Sequence, residues 1–237
     1  MIPAVDALSG PGVLLRPLDW RDVDLVIVAS RTDVPDWTLL PRDLDEHAAA
    51  EWIGESMKAR VDGWAVRFVI AIDGHGAGEV LGAGDVLDSV GVRGAGGVLG
   101  AGGVQGGTHG LLGAGGVLGA GGVHRAGVVA AYAWPDDGSV VGTSYFLLPQ
   151  HRGRGIATAA LMTLSTWLST AVPGLQRLEL MVVPGNDASE RVALRAGYRR
   201  QGVVIDAVPP VNGFPARDGI VYTRTVPSES GADVPVG

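Results

Sequence analysis

From Tyr145 to Thr158 the chain reads Tyr-Phe-Leu-Leu-Pro-Gln-His-Arg-Gly-Arg-Gly-Ile-Ala-Thr: an apolar run, a short Gly/Arg loop, then the start of a helical pattern. Those residue types suit the holding of phosphate oxygens. A helix that begins at a glycine loop exposes backbone N–H groups with no partner inside the helix. Those groups and the positive end of the helix dipole attract an anion. Gly153 and Gly155 permit close approach, where a β-carbon would intrude. Arg152 and Arg154 add positive charge. The same residues also fit a tight strand-to-helix turn with solvated arginines. Two nucleotide readings fail. A P-loop needs Gly-Lys-Ser/Thr, which is missing, and a dinucleotide fold needs an acidic residue about 20 positions further on, where Arg177 stands.

Elements on either side must position this loop. Val140 to Leu148 reads as the strand entering it, ended by Pro149, and Ile156, Ala160, Leu161, Leu164, Trp167, Leu168 and Val172 follow helical spacing up to Pro173. Upstream, Val13 to Leu18 reads as a strand and about Trp20 to Ser30 as a helix capped by Asp19. Pro35 and Pro41 bracket a loop with Trp37. Asp43 or Asp45 caps a helix reaching about Arg60, and Trp64 to Asp73 is a strand. Val128 to Trp134 is another strand, with Pro135 to Gly138 as a turn. Further on, Arg177 to Val183, Arg200 to Asp206 and Arg217 to Tyr222 read as strands.

An internal repeat interrupts this series. The run from Gly94 to Val104 recurs unchanged at Gly113 to Val123, and an acidic copy spans Gly76 to Val86. The repeat has no large side chains and so buries little core. Glu79 to Asp88 is expected to be a strand of the domain, and residues 89–126 a glycine-rich insertion, either a weakly ordered loop or a β-like element that packs or self-associates. The remaining plan is a single domain over 10–226 with a flexible tail over 227–237.

Composition narrows the function. A net charge of −7 argues against nucleic acid, which needs a basic face. No apolar run reaches the roughly 18 residues of a membrane span. Met1 to Leu8 contain Asp6 and no basic stretch, so they do not read as a secretory signal. The absence of cysteine fits a cytoplasmic location and removes thiolate metal ligands and a cysteine nucleophile. His47, His75, His109, His124 and His151 show no metal spacing, and His151 is expected to be a solvated loop residue.

The loop resembles the Arg/Gln-x-x-Gly-x-Gly/Ala loop of the GNAT superfamily of acyl-CoA N-acyltransferases. Gln150-x-x-Gly153-x-Gly155 and Arg152-x-x-Gly155-x-Ala157 both fit. The second is preferred, because the family's Arg/Gln usually stands three residues after the strand-end proline, here Pro149. A second motif follows in order: Asn186-Asp-Ala-Ser189 and then Gly197-Tyr198, similar to the Asn-x-x-Ser helix and Gly-Phe/Tyr of the ribosomal-protein alanine/serine N-terminal acetyltransferase branch. Leu15-Arg16-Pro17-Leu18 fits the same branch.

The resemblance implies an α/β (α+β) fold: a central mixed, mostly antiparallel twisted sheet of about six to seven strands flanked by helices, carrying the glycine-rich insertion. It implies acetyl-CoA or another acyl-CoA as co-substrate and no metal. Gly153, Arg154, Gly155, Ile156, Ala157 and Thr158 would hold the pyrophosphate beside Arg152. Tyr145, Phe146 and Leu147 would offer backbone groups to the pantetheine arm, with Asn186 and Ser189 also at the coenzyme. The acceptor would be a primary amine, on a protein N-terminus or a small molecule, and the protein a monomer or homodimer.

Direct transfer needs an oxyanion donor, a base and an acid. The amide of Phe146 or Leu147 is the donor implied. The family's tyrosine acid, seven residues after the asparagine, is replaced by Ala193, and its glutamate base, five before, by Met181. Ser189 is then the best remaining acid, although a serine in a first helical turn also bonds locally to backbone. Asn186 is otherwise a helix cap. Glu179 is the candidate base through water, or a surface strand residue; Asp85 is weaker. Tyr198 belongs to the core. Residues 30–42 and 208–218 are the expected acceptor loops.

Overall fold

The computed structural model describes residues 1–73, 122–134 and 137–227. The expected strand at Glu79 to Asp88, Asp85 itself, and most of the glycine-rich insertion lie outside the described residues.

Among the described residues eight strands form one sheet: β1 (Leu8–Gly10), β2 (Val13–Pro17), β3 (Ala65–Asp73), β4 (Val123–Trp134), β5 (Asp137–Leu147), β6 (Arg177–Val182), β7 (Arg199–Val208) and β8 (Arg217–Thr225). Their order is β1-β2-β3-β4-β5-β6-β8-β7. Every neighbouring pair is antiparallel except β5 and β6. The sheet is mixed and mostly antiparallel, as the sequence implied, and wider by the short β1 at its edge. β4 begins at Val123, five residues before its expected start, so the last residues of the 89–126 span lie in the sheet.

Among the described residues five helices accompany it: α1 (Val23–Ser30), α2 (Val34–Trp37), α3 (Glu46–Val61), α4 (Ile156–Ala171) and α5 (Asp187–Arg195). The helix expected from Trp20 opens as a 3-10 turn, Trp20–Asp22, and becomes α-helical at Val23. Asp19 and Asp22 cap that turn reciprocally. Asp22 also takes the buried Arg16 guanidinium as a bidentate pair, with Nη1 to Oδ2 at 2.8 Å. Of the two candidate caps for α3, Asp45 is the one used, accepting from the Ala48 amide at 2.8 Å, a bond of the kind worth about 1 kcal/mol. The Pro35 to Pro41 loop contains the single turn of α2, with Pro35 in its first turn, where a missing N–H costs nothing.

The helices cover opposite faces. Ile156, Leu161, Leu164 and Leu168 of α4 and Ala193 of α5 pack on Phe68, Val129, Leu178 and Leu180. Leu25 and Val26 of α1 and Ile53 of α3 pack on Val69, Val128 and Phe146. Because side chains alternate along a strand, Leu178, Leu180 and Val182 of β6 face α4, which turns Glu179 and Met181 to the other side.

Candidate active site

The parallel pair β5–β6 sets up the site. The two strands pair only from Val140↔Arg177 to Thr143↔Leu180. β5 then continues to Leu147, still paired with β4 as far as Gly127↔Leu147, but no longer with β6. The strands fork, and on the side of the gap Ser144 to Leu147 of β5 have no strand partner. Buried hydroxyls brace the point of divergence. Thr143 Oγ1 donates to the Glu179 carbonyl at 2.9 Å and lies 3.3 Å from Tyr198 Oη, which is 2.9 Å from Ser165 Oγ on α4. Tyr198, expected in the core, is 1% exposed, and burial raises its pKa above the usual phenol value.

The Gly/Arg loop stands at the mouth of the fork. A 3-10 turn, Pro149–His151, ends β5, and Arg152 is extended. Gly153 and Gly155 have φ of 74° and 79°, in the left-handed region where a β-carbon is strained. Gly155 is the N-cap of α4 and supplies no side-chain cap. The first turn closes with the Ala159 amide on the Gly155 carbonyl, so the amides of Ile156, Ala157 and Thr158 precede the intrahelical ladder. Strand, loop and helix thus follow in the order the sequence predicts.

The two arginines differ. Arg152 makes a bidentate pair with Asp33, both contacts 2.7 Å, and donates Nε to the Leu147 carbonyl at 3.2 Å. It ties the loop to the segment leading into α2. The hydrogen bond from Arg152 holds the Asp33 carboxyl below its usual pKa. Arg154 is exposed at the loop. His151 corrects the expectation of a solvated residue: it is 6% exposed. Its ring stands 6.0 Å from that of His124, and neither ring nitrogen has a partner among the described residues. Burial first, then the nearby His124 and Arg154, depress its pKa.

Across the gap, Asn186 caps α5, its Oδ1 accepting from the Ser189 amide at 3.1 Å. That fixes Ser189 in the first helical turn. Ser189 Oγ lies 2.9 Å from Tyr145 Oη. This hydroxyl pair was not legible from the sequence, which implied only a backbone role for Tyr145. Burial pushes the Tyr145 phenol up to about 12.

The structure does not bring Glu179 to Ser189. Glu179 lies on the opposite face of the sheet, and its Oε1 accepts from Arg177 Nε at 2.9 Å. Met181 shares that face and packs against Gly219 and is 40% exposed.

The two expected acceptor loops do meet. Asn212 Nδ2 donates to the carbonyls of Pro35 and Leu40 at 2.9 Å each, and its Oδ1 accepts from the Arg42 amide at 2.9 Å. Arg217 donates Nη1 to the Asp36 carbonyl at 2.6 Å and stacks on Phe214 at 4.6 Å. Its Nε and Nη2 are buried with no partner among the described residues. The sequence marked these loops but not these two residues, since an asparagine and an arginine in a Pro/Gly-rich stretch carry no periodic signal. Among the described residues no group of His, Asp and Glu side chains has a metal-binding arrangement, and no helix is long and apolar enough to cross a membrane.

The parallel pair thus forks with a glycine loop and an uncapped helix start at its mouth. The family model described as an acetyltransferase (GNAT) domain matches residues 109–199. That match, over less than half of the chain, agrees with the motif resemblance, and solved structures share the fold of the described residues. RimJ of Mycobacterium smegmatis in complex with CoA-disulfide is 21% identical, covering 95% of this chain and 90% of its own, at TM-score 0.61. Ribosomal-protein-S5-alanine acetyltransferase of Vibrio fischeri is 14% identical, covering 93% and 96%, at 0.60. RimL, a ribosomal L7/L12 α-N-protein acetyltransferase in complex with coenzyme A, is 17% identical, covering 95% and 97%, at 0.58. No curated protein matches the chain in sequence.

Proposed function

We propose that the chain transfers an acetyl group from acetyl-CoA to a primary amine, such as a protein N-terminus or a small amine, directly within a ternary complex. The observation that carries this reading is the β5–β6 fork with the Gly153–Gly155 loop and uncapped start of α4 at its mouth. The chemistry of that site fits acetyl-CoA. Uncapped amides and the helix dipole suit a pyrophosphate, and the free edge of Ser144 to Leu147 suits the amide-bearing pantetheine arm. RimJ and RimL bind coenzyme A in that fold, and RimL acts on a ribosomal protein's α-amine, which supports a protein N-terminus as acceptor.

In the reaction, the fork aligns thioester and amine, and positioning supplies much of the acceleration. The Leu147 amide, on the edge of β5 that faces the gap, stabilises the tetrahedral oxyanion. Ser189 donates a proton to the departing thiolate. The start of α5 assists, since negative charge is stabilised near a helix N-terminus. Asn186 holds Ser189 in place. Glu179, occupied by Arg177, takes the amine proton only through water.

That weak base supports a second reading, a catalytically silent acyl-CoA sensor. Steady-state assays of acetyl-CoA with a panel of N-terminal peptides and amines separate the two. Transfer to at least one acceptor is expected; tight CoA binding with no transfer would favour the sensor.

A further inference from the structure

Ser189 alone is a poor acid for its role. An aliphatic hydroxyl is a much weaker acid than a thiol, whose ordinary pKa is about 8.5, so a serine that gives up its proton without replacement leaves an unstable alkoxide. The hydroxyl beside it removes that difficulty. Tyr145 Oη is 2.9 Å from Ser189 Oγ, and either oxygen can donate. The Asn186 cap fixes one side of this pair, and packing of the Tyr145 ring against the α4-side core fixes the other.

We propose that Tyr145 is a positioning and proton-supplying residue behind Ser189: as the carbon–sulfur bond breaks, sulfur takes the Ser189 hydroxyl proton and Ser189 takes the phenolic proton of Tyr145. This rests on acetyl transfer with Ser189 as the acid. The bond's electron pair leaves with sulfur, and the negative charge ends on the phenolate. The ammonium loses one proton before attack and its nitrogen a second as the amide forms, both through water to solvent, and one solvent proton restores the phenol. The net change is one amide and one thiol formed, with one proton released per ammonium consumed. A phenol at about 12 is still a weaker acid than the thiol, but the transfer is far less uphill than from serine alone. Burial also keeps the phenol protonated through the neutral range, so the donor is always loaded.

The test is Tyr145→Phe, which removes one oxygen and keeps the ring. We expect kcat to fall about 10- to 100-fold, with KM for acetyl-CoA and the Kd of CoA within about twofold of wild type. The Tyr145→Phe/Ser189→Ala double variant should be no slower than Ser189→Ala alone, because groups acting in one relay are not additive. A fluorinated tyrosine inserted at position 145 keeps the hydroxyl and the packing but lowers its pKa, and should move the alkaline fall of kcat to lower pH. That measurement carries the test if Tyr145→Phe does not fold. Wild-type kcat in Tyr145→Phe, losses that multiply in the double variant, or an unmoved pH profile would overturn the proposal while leaving acetyl transfer intact. A wild-type protein that binds CoA and acetylates no amine would instead overturn the reading beneath it.

Discussion

The proposed coenzyme end and the proposed acceptor end of this molecule are built from different materials. At the coenzyme end the main chain does most of the holding: two left-handed glycines, the uncapped first turn of α4, and the free edge of β5 beyond Thr143. At the acceptor end, side chains from distant parts of the chain hold backbone carbonyls. Asn212 grips Pro35 and Leu40, and Arg217 grips Asp36. Backbone geometry is nearly independent of side-chain identity outside the glycines, so it suits an invariant ligand such as a pyrophosphate. Side-chain clamps change with a single substitution, which suits a variable acceptor. Arg152–Asp33 joins the two ends, because α2 begins beside one and ends beside the other.

The largest effects are expected at the proposed coenzyme end. Ser189→Ala should lower kcat about 100-fold with little change in CoA affinity; equal loss in both would mean a packing role. Gly155→Val forces a β-branched residue to φ near 79°, costing about 1–2 kcal/mol, so the Kd of CoA should rise about tenfold, read by calorimetry alongside melting temperature. Asn212→Gly keeps the positive φ of 55° that residue adopts and removes three hydrogen bonds. Each bond contributes about 1 kcal/mol net. It should raise KM for the acceptor and leave CoA binding unaltered. Matched losses for both substrates would show that the two ends are not separable.

Smaller effects test the link between the ends. Asp33→Asn removes an ion pair with both side chains largely exposed, so the stability loss should stay below about 1 kcal/mol. Freed Arg152 should tighten CoA binding measurably; weaker binding would make the tether itself essential. The Asp33 pKa is lowered in the fold from 3.8. The pair's contribution is therefore present at neutral pH and is lost only as pH falls through that lowered value. His151 behaves differently. Its folded pKa lies below the unfolded 6.5, so the unfolded chain binds more protons between those two values and stability declines as pH drops below 6.5. Phenylalanine at position 151 should flatten that decline in a melting-temperature series from pH 8 to about 5.

Much of the fold was readable because its signals are local. The helical spacing from Ile156 to Val172, the Asn186 cap and the apolar runs of β3 and β5 repeat over several turns or residues. β1 was not readable: three residues, Leu-Ser-Gly, are held as a strand only by pairing with β2, with Gly10 set close against Thr163. The first residues of β4 were obscured by the glycine repeat that leads into them. His151 looked solvated because it sits between Gln150 and two arginines, yet the turn after β5 folds it inward beside His124. The Tyr145–Ser189 contact depends on how α5 is set across the fork, a tertiary fact that no window of sequence contains.

Direct transfer from acetyl-CoA to an amine held at the fork is open to one kinetic measurement. Initial rates should be measured with acetyl-CoA and peptide N-termini varied together. Intersecting double-reciprocal lines and amide formation with at least one acceptor are expected. Saturable CoA binding without acetylation of any amine would contradict direct transfer.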